Sequence, residues 1–242
     1  MIFNLFKSKP TLKELIPNGF VDIHSHILPG IDDGAKNVDE SIKLISSMNK
    51  IGFKKIIGTP HTITGLYDNT NKSISDSYNK LKSFDIEVEI NYSSEYMIEP
   101  YLFEKIEEKT IIPLKENYVL IEMSYIDKPT FLYDIIFGFK INGYIPVLAH
   151  PERYGFLFSD FQNFLKLKRR GCKFQINLLS LTGYYGKKVT SVCQKLINKN
   201  LVDFVGSDIH NMHHVDEFEK KIIINNKPEI GNILKRTNDI FI

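Results

Sequence analysis

The sequence predicts a single α/β barrel, on three observations. From Gly19 onward, short apolar runs alternate with longer segments of helical period, the pattern of βα units around a parallel sheet. The 242 residues match the roughly 250 typical of one such barrel, and short loops without a Pro/Gly/Ser-rich linker make one domain more economical than two. No GxGxxG or Walker A sequence follows the first strand. That counts against the open nucleotide-binding sheets, whose phosphates need glycine-lined helix N-termini.

Residues 1–19 read as an N-terminal extension and 20–242 as the barrel domain. In the extension, MIFNLF is cut off by Lys7 and Lys9 and is shorter than the roughly 7–15 apolar residues of a secretory signal. Its apolar residues are expected to pack on the barrel, the alternative being a partner or membrane surface. Seven strands follow, at Phe20–His26, Lys54–His61, Ile86–Met97, Tyr118–Ser124, Tyr144–His150, Lys173–Leu179 and Asp203–His210, most of them rich in Ile and Val. Between them, apolar residues near i, i+3 and i+4 predict helices over Val38–Ile51, Ser73–Phe84, Thr130–Ile141, Phe161–Arg170 and Val189–Asn200. Several run into Gly or Asn, as helices do at their C-termini.

Composition narrows the function classes. With 43% hydrophobic and 25% charged residues, the chain can bury a full core and is neither disordered, collagenous nor a coiled coil. Thirty-one basic against twenty-nine acidic residues argue against a nucleic-acid binder, which must neutralise many phosphates. No stretch approaches the ~20 apolar residues of a membrane span. The two cysteines, Cys172 and Cys193, form no CxxC and no disulfide framework, so a cytoplasmic, reducing location is expected. Neither sits in a Cys-x5-Arg loop, and both read as packing residues.

The chemistry gathers at the C-terminal ends of the strands. The first runs into His24-Ser25-His26, the second into His61, the third carries Glu95, the fourth Glu122, the fifth ends at His150 and the seventh at Asp208-Ile209-His210. Five of the seven histidines lie so, leaving His213 and His214 as loop or helix-start residues. In a barrel these strand ends converge on the face that builds active sites. His24 and His26 share one face of a strand and can bind one ion together. An isolated HxH is weak, but Pro29 and Gly30 bend the chain so that Asp32 or Asp33 can return a carboxylate to the same mouth. Asp208 and His210 repeat the i, i+2 relation, against the plainer reading of a helix-capping Asp beside a surface His. Glu95 and Glu122 stand in apolar SSEYM and VLIEMS, where an unpaired carboxylate is costly and a structural ion pair is the rival reading. HPERY places Glu152, Arg153 and Tyr154 beyond the mouth. Arg153, one of only four arginines, can bind a phosphate with two parallel hydrogen bonds or form a plain salt bridge. Five histidines and four or five carboxylates exceed one tetrahedral zinc and suit two or three ions, which implies metal-assisted hydrolysis.

DIHSHILPGIDDG at 22–34, TPH at 59–61, SSEYM around Glu95, LIEMS around Glu122, AHPERY at 149–154 and GSDIHN at 206–211 together resemble the polymerase and histidinol phosphatase (PHP) superfamily. Within it, they resemble the manganese-dependent tyrosine-protein phosphatases of bacterial capsular and exopolysaccharide systems. The resemblance covers roughly residues 20–212 and implies a distorted TIM-like (β/α)7 barrel of PHP type with a trinuclear metal centre. By carry-over, one ion takes His24, His26 and Asp208, and Glu95 bridges it to a second bound by Glu122 and His150. A third takes Asp33, His61 and His210, and Arg153 contacts the phosphate. Asp33, His61, His210 and Arg153 are the expected catalytic set. Manganese is the expected cofactor, with iron, zinc or cobalt as alternatives. The implied partner is the phosphotyrosine tail of a membrane-associated bacterial tyrosine kinase that regulates polysaccharide assembly. Some members carry arginines after the second-strand histidine. Here Thr62-Ile63-Thr64-Gly65 follows His61, so their contacts must come from Lys54, Lys55 or the Tyr184-Tyr185 loop, or be absent. The rival readings are a small-molecule phosphatase, such as one for histidinol phosphate, and a non-catalytic scaffold of the polysaccharide machinery.

Overall fold

The first strand, β1 (Phe20–Ser25), is buried along its whole length, as the apolar run FVDI requires of a strand covered on both faces. It leads through a loop to α1 (Val38–Ile51), which starts where Asn37 accepts a hydrogen bond from the Glu40 N–H and stops at Gly52, φ 126°. Only glycine tolerates that backbone without strain. The computed structural model describes residues 9–242; the first part of the expected extension, residues 1–8, lies outside the described residues.

The chain continues through β2 (Phe53–Gly58), β3 (His61–Thr62), α2 (Asn71–Leu81), β4 (Glu89–Tyr92), β5 (Glu95–Met97), α3 (Tyr101–Glu107) and β6 (Tyr118–Glu122). It then passes through α4 (Leu132–Ile141), β7 (Ile145–Ala149), α5 (Gln162–Arg169), β8 (Lys173–Asn177) and α6 (Lys187–Asn198), and closes with β9 (Phe204–Gly206), α7 (Met212–Asp216) and α8 (Lys227–Phe241). All strand pairs are parallel. They form two sheets, β1-β2-β4 and β3-β5-β6-β7-β8-β9. The protein is thus a mixed α/β fold with parallel sheets, and the strand pairing does not run round as one closed sheet.

The interruption has a local cause. The expected strands 54–61 and 86–97 are each broken, at Thr59-Pro60 and Ser93-Ser94. Pro60 has no N–H to give to a ladder, and its carbonyl accepts from both Glu95 N (3.0 Å) and Ser94 Oγ (3.0 Å). Hydrogen bonds nevertheless cross the gap, from Ser93 N to Gly58 O (2.8 Å) and Thr59 N to Ser25 O (2.7 Å). On the far side, Asp208 N donates to His24 O and His26 N to Ile209 O, both at 2.8 Å.

The five predicted helices are present, with ends displaced by at most three residues. Helices α3, α7 and α8 are additional. The last strand is shorter than expected: its pairing with β8 ends at Gly206, and Asp208 beyond it adopts φ 55°. Apolar faces of the helices, such as Leu44, Ile45 and Met48 on α1 and Ile135, Ile136 and Phe139 on α4, pack on the strands in one large core. A smaller cluster joins Val21, Ile23, Leu120, Val147 and Phe204 to Phe241 of α8. Phe241 meets Tyr118 and Phe204, the first residues of β6 and β9. Apolar packing therefore closes the N-terminal end of the strands and leaves polar residues to gather at the other. Residues 10–16 lie along the C-terminal segment, with Leu12 and Ile16 buried and Leu12 N donating to Lys220 O (2.9 Å).

Candidate metal centre

The ends of six strands bring all nine expected ligands together. His24 and His26 stand side by side at the end of β1, Nε2 to Nε2 3.3 Å apart and both fully buried. Parallel register sets the next positions: His61 of β3 is opposite Glu95 of β5, and Met97 is opposite Glu122 of β6. His150 follows β7, where its N–H donates to Gln175 O (2.7 Å). Asp208 and His210 follow β9.

Four overlapping groups have ligand atoms within 4.8 Å of one another: His26, Asp33, His61 and His210; His24, His150 and Asp208; His24, His26 and Glu95; and His61, Glu95 and Glu122. These groups overlap the three sets that the resemblance implies without matching them one to one. Glu122 Oε1 lies 2.7 Å from His61 Nδ1, across β5, which separates β3 from β6. His150 faces Glu95, Nε2 to Oε1 3.1 Å.

Neighbouring groups fix which nitrogen of each ring faces inward. Gln175 Oε1 can only accept, so at 2.8 Å from His24 Nδ1 it holds the proton there and turns a lone pair at Nε2 to the centre. The amide is oriented by its own donations to Ile176 O and Asn177 Oδ1. Asp32 does the same for His26 (2.7 Å) and the Asp208 carbonyl for His210 (3.0 Å). The two aspartates that sequence left open therefore divide: Asp32 is buried behind His26, and Asp33 stands half exposed, its Oδ1 3.4 Å from both His61 Nε2 and His210 Nε2.

Glu95 is the decisive group. It is completely buried, yet neither carboxylate oxygen receives a hydrogen bond. Four imidazole nitrogens surround it instead: those of His24 (3.2 Å), His26 (3.5 Å) and His61 (3.1 Å) at Oε2, and that of His150 (3.1 Å) at Oε1. A buried carboxylate without donors is expensive, and a shell of imidazole lone pairs and carboxylate oxygens is what divalent first-row cations require. The residues present fit such ions.

In the absence of ions, imidazole and carboxylate charges offset one another here. Burial would raise the Glu95 and Asp208 carboxyls, but the imidazoles, His24 foremost, outweigh it and hold both well below the usual range. His210 and His61 similarly overcome partial burial at Asp33 and bring it to about 2. Against burial, Glu122 raises His61 to about 12 and Asp32 raises His26 to about 10. Burial dominates at His150, lowered to about 4, and burial with the Glu95 charge lifts Glu122 to about 7.

Above the centre opens a cavity of about 470 Å³, lined among others by Asp33, His61, Arg153, Asp208 and His210. Arg153 reaches it from the turn after His150, whose left-handed backbone (φ 36°) is a strain of the kind found at functional sites. Its Nη1 donates to Asp208 Oδ2 at 2.9 Å. Glu152 and Tyr154, expected beside it at the mouth, turn away. Glu152 is buried, accepting from Asn177 N (2.8 Å) and Ser180 Oγ (2.7 Å), and the Tyr154 hydroxyl accepts from Met123 N (2.9 Å). Lys54 and Lys55 are also misplaced by the sequence reading. They lie near the start of β2, where Lys54 donates to Asn49 and Lys55 pairs with Glu89, at the end of the strand remote from the centre. Tyr184 and Tyr185 do line the cavity, with Tyr125, Asn211 and His214.

Asp32 aside, the supporting residues Gln175, Asn177 and Asp22 went unrecognised in the sequence. Asn177 Nδ2 donates to Asp208 Oδ2 (2.6 Å), and Asp22 ties β1 to β9 by accepting from Ser207 N (2.9 Å) and Ser207 Oγ. A signal existed: Gln175 and Asn177 are a period-2 polar pair within an otherwise buried strand, KFQIN.

Residues 20–220 match the family model described as capsular polysaccharide synthesis, CpsB/CapC. The tyrosine-protein phosphatase YwqE of Bacillus subtilis (strain 168) is 32% identical over 197 residues, 79% of this chain and 78% of that protein. The putative tyrosine-protein phosphatase CapC of Staphylococcus aureus is 30% identical over 197 residues, covering 79% and 77%. A crystal structure from work on YwqE of Bacillus subtilis and CpsB of Streptococcus pneumoniae, described as unique metal-dependent tyrosine phosphatases, superposes with a TM-score of 0.74 at 27% identity, over 90% of this chain and 95% of that one.

Proposed function

The chain belongs to the capsular polysaccharide synthesis CpsB/CapC family, and from that premise we propose that it is a metal-dependent protein-tyrosine phosphatase. The observation that carries the reading is the buried, undonated Glu95 carboxylate ringed by four imidazoles beneath a cavity that Arg153 enters. His24, His26, Asp33, His61, Glu95, Glu122, His150, Asp208 and His210 would hold two or three divalent ions. Manganese is the proposed resident, with iron, zinc and cobalt the alternatives compatible with mixed nitrogen and oxygen ligands. When bound, such ions supply Lewis acidity to phosphoryl oxygens and bring a water toward deprotonation at neutral pH.

The protein's own residues bind and orient the ester. Arg153 spends one N–H on Asp208 and would direct its remaining donors to phosphate oxygens. Asp33, His61 and His210 form the open side of the centre and are, with Arg153, the proposed catalytic residues. Asp33, ionised well below neutral pH, serves there as a fixed anion and not as a proton donor. No serine or cysteine nucleophile is needed, and both thiols are buried.

We further read residues 20–242 as the phosphatase domain and 1–19 as an extension, of which residues 10–16 pack on that domain. The two sheets act as parts of a distorted seven-stranded barrel of PHP type, β2 with β3 and β4 with β5 each counting as one strand, supported by the Ser25–Ile209 bridge between β1 and the end of β9. Among the described residues no helix is long and apolar enough to cross a membrane. The proposed setting is the cytoplasm, and the proposed substrate is the phosphotyrosine tail of a membrane-associated tyrosine kinase controlling capsular or exopolysaccharide assembly. Comparing kcat/KM for phosphotyrosyl peptides with that for histidinol phosphate tests the substrate class. The peptide should be preferred, whereas preference for histidinol phosphate would move the activity to small molecules. A Glu122→Ala protein that folds and still supports the partner's function would point to a scaffold.

A further inference from the structure

Arg153 is held between two aromatic rings. Its guanidinium carbon lies 4.8 Å from the ring centre of Tyr125 and 4.3 Å from that of Tyr185. The three residues follow three consecutive strands, Tyr125 after β6, Arg153 after β7 and Tyr185 beyond β8. Each ring is itself anchored. Tyr125 stacks on His150 (5.8 Å, 27°) and lies against Tyr154 (5.5 Å, 31°). The Tyr185 hydroxyl accepts from Asn177 Nδ2 (3.2 Å), the same amide nitrogen that donates to Asp208 Oδ2. Asp208 in turn receives Arg153 Nη1 at 2.9 Å. Among the described residues no other hydrogen bond is made by the guanidinium, although the side chain is only 24% exposed. A long cationic side chain is thus immobilised with most of its N–H groups unspent, on the wall of the cavity.

We propose that Tyr125 and Tyr185 are positioning residues that clamp the Arg153 guanidinium and so preset its free donors for a phosphoryl group. The proposal deepens the phosphatase reading and rests on it for the nature of the ligand. A free arginine side chain must give up its rotamer freedom when it meets an anion, and a stacked one has done so on folding. The flat faces of the two rings leave the edge of the guanidinium, where the N–H groups lie, as the direction open to an anion. The ring faces and not the phenols meet the guanidinium; the Tyr185 hydroxyl serves only to seat its ring on Asn177. A purely packing role fits poorly with Tyr125, which is 48% exposed at the rim.

The test uses metal-loaded enzyme and reads three quantities for each variant: kcat and KM on a phosphotyrosyl peptide, the Kd of inorganic phosphate by calorimetry, and bound metal. Tyr125→Ala and Tyr185→Ala should each raise KM and phosphate Kd about tenfold, within the range of a desolvated cation–π contact, with kcat changed less and metal content unchanged. Tyr125→Phe and Tyr185→Phe should stay within about twofold of wild type. In an Arg153→Ala background, Tyr125→Ala should add nothing, since it acts through that arginine. If an alanine variant fails to fold, the corresponding leucine variant fills the volume without a π face and should show the same rise. Wild-type KM and Kd in the alanine or leucine variants, phenylalanine variants as weak as alanine, or effects that multiply in the Arg153→Ala background would each overturn the clamp. A protein that binds phosphate with these dependences yet hydrolyses no phosphomonoester would sink the phosphatase reading and leave the clamp standing.

Discussion

Gly34 is the point at which a single methyl group should disable the centre. The loop from Pro29 to Ala35 folds back on the end of β1, with Ala35 N donating to His26 O (3.0 Å) and Gly34 N to Asp32 Oδ1 (2.9 Å). A Cβ on Gly34 would lie 2.0 Å from His26 O, 2.5 Å from His26 Cβ and 2.8 Å from its carbonyl carbon. Two of these atoms are backbone and the third is fixed to it, so the loop must withdraw by about 1 Å or more to reach ordinary contact distances. Asp32 and Asp33 travel with it, loosening the 2.7 Å bond that orients His26 and moving the carboxylate shared by His61 and His210. Overpacking of this kind costs about 1–3 kcal/mol, or roughly 2–12 °C in Tm for a chain of this size. A misplacement of about 1 Å at a reacting site costs on the order of 100-fold in rate. Thermal unfolding, bound metal and kcat/KM on a phosphotyrosyl peptide should therefore all fall in Gly34→Ala. Gly231→Ala, in the exposed middle of α8 where a Cβ meets nothing within 4 Å, is the control and should gain about 0.5–1 kcal/mol with activity unchanged. Wild-type Tm and turnover in Gly34→Ala would refute the role given to the loop.

Three further perturbations probe the supporting residues. Gln175→Leu removes the acceptor at His24 Nδ1 and should weaken metal affinity about 10–100-fold; an unchanged metal titration would show that His24 needs no such partner. Burial raises Glu152 from 4.5 to about 7, so its contribution to stability is complete below pH 4.5 and is lost as pH rises through about 7. Glu152→Gln keeps an acceptor for Asn177 N and Ser180 Oγ and should gain on wild type between pH 5 and pH 8, by up to about 3 kcal/mol for a shift of that size. Denaturant melts at the two pH values giving the same difference would contradict this. Burial also lifts the Cys172 thiol to about 12 and the Cys193 thiol well above its ordinary range. Iodoacetamide at pH 8 should therefore label neither in the folded protein nor reduce activity, and rapid labelling with inactivation would restore a thiol mechanism to consideration.

The proposed ligand set was legible because its residues are chemically conspicuous and stand where parallel strands end. His24 and His26 need only the two-residue period of a strand to share a face, and Asp208 with His210 repeats the pattern. What ring each carboxylate meets depends on strand order and register, which is why the contact of Glu122 with His61 could not be read from the sequence. Gln175 and Asn177 escaped notice because an amide bears no charge and draws attention only once the strand is known to reach the centre. The Tyr184-Tyr185 loop was named as a source of contacts, whereas Tyr125 sits in a loop whose path no periodicity reveals. The break of the sheet at Pro60 follows from a missing N–H that was visible in TPH, but the apolar runs on either side read as one strand. Helix α8 was equally visible, with Pro228 at its start and Ile230, Ile233, Leu234 and Phe241 on its buried side, beyond the point where the strand–helix alternation stops demanding elements.

The most direct test of the central claim measures metal content and phosphotyrosyl-peptide hydrolysis on one preparation, for wild type and for the His24→Ala/His26→Ala double variant, with and without added Mn²⁺. Wild type should bind two or three ions and turn over only when loaded, and the double variant should lose both properties while remaining folded. Hydrolysis that persists in the double variant or in metal-free wild type would contradict the account, as would a folded wild-type protein that binds no metal at all.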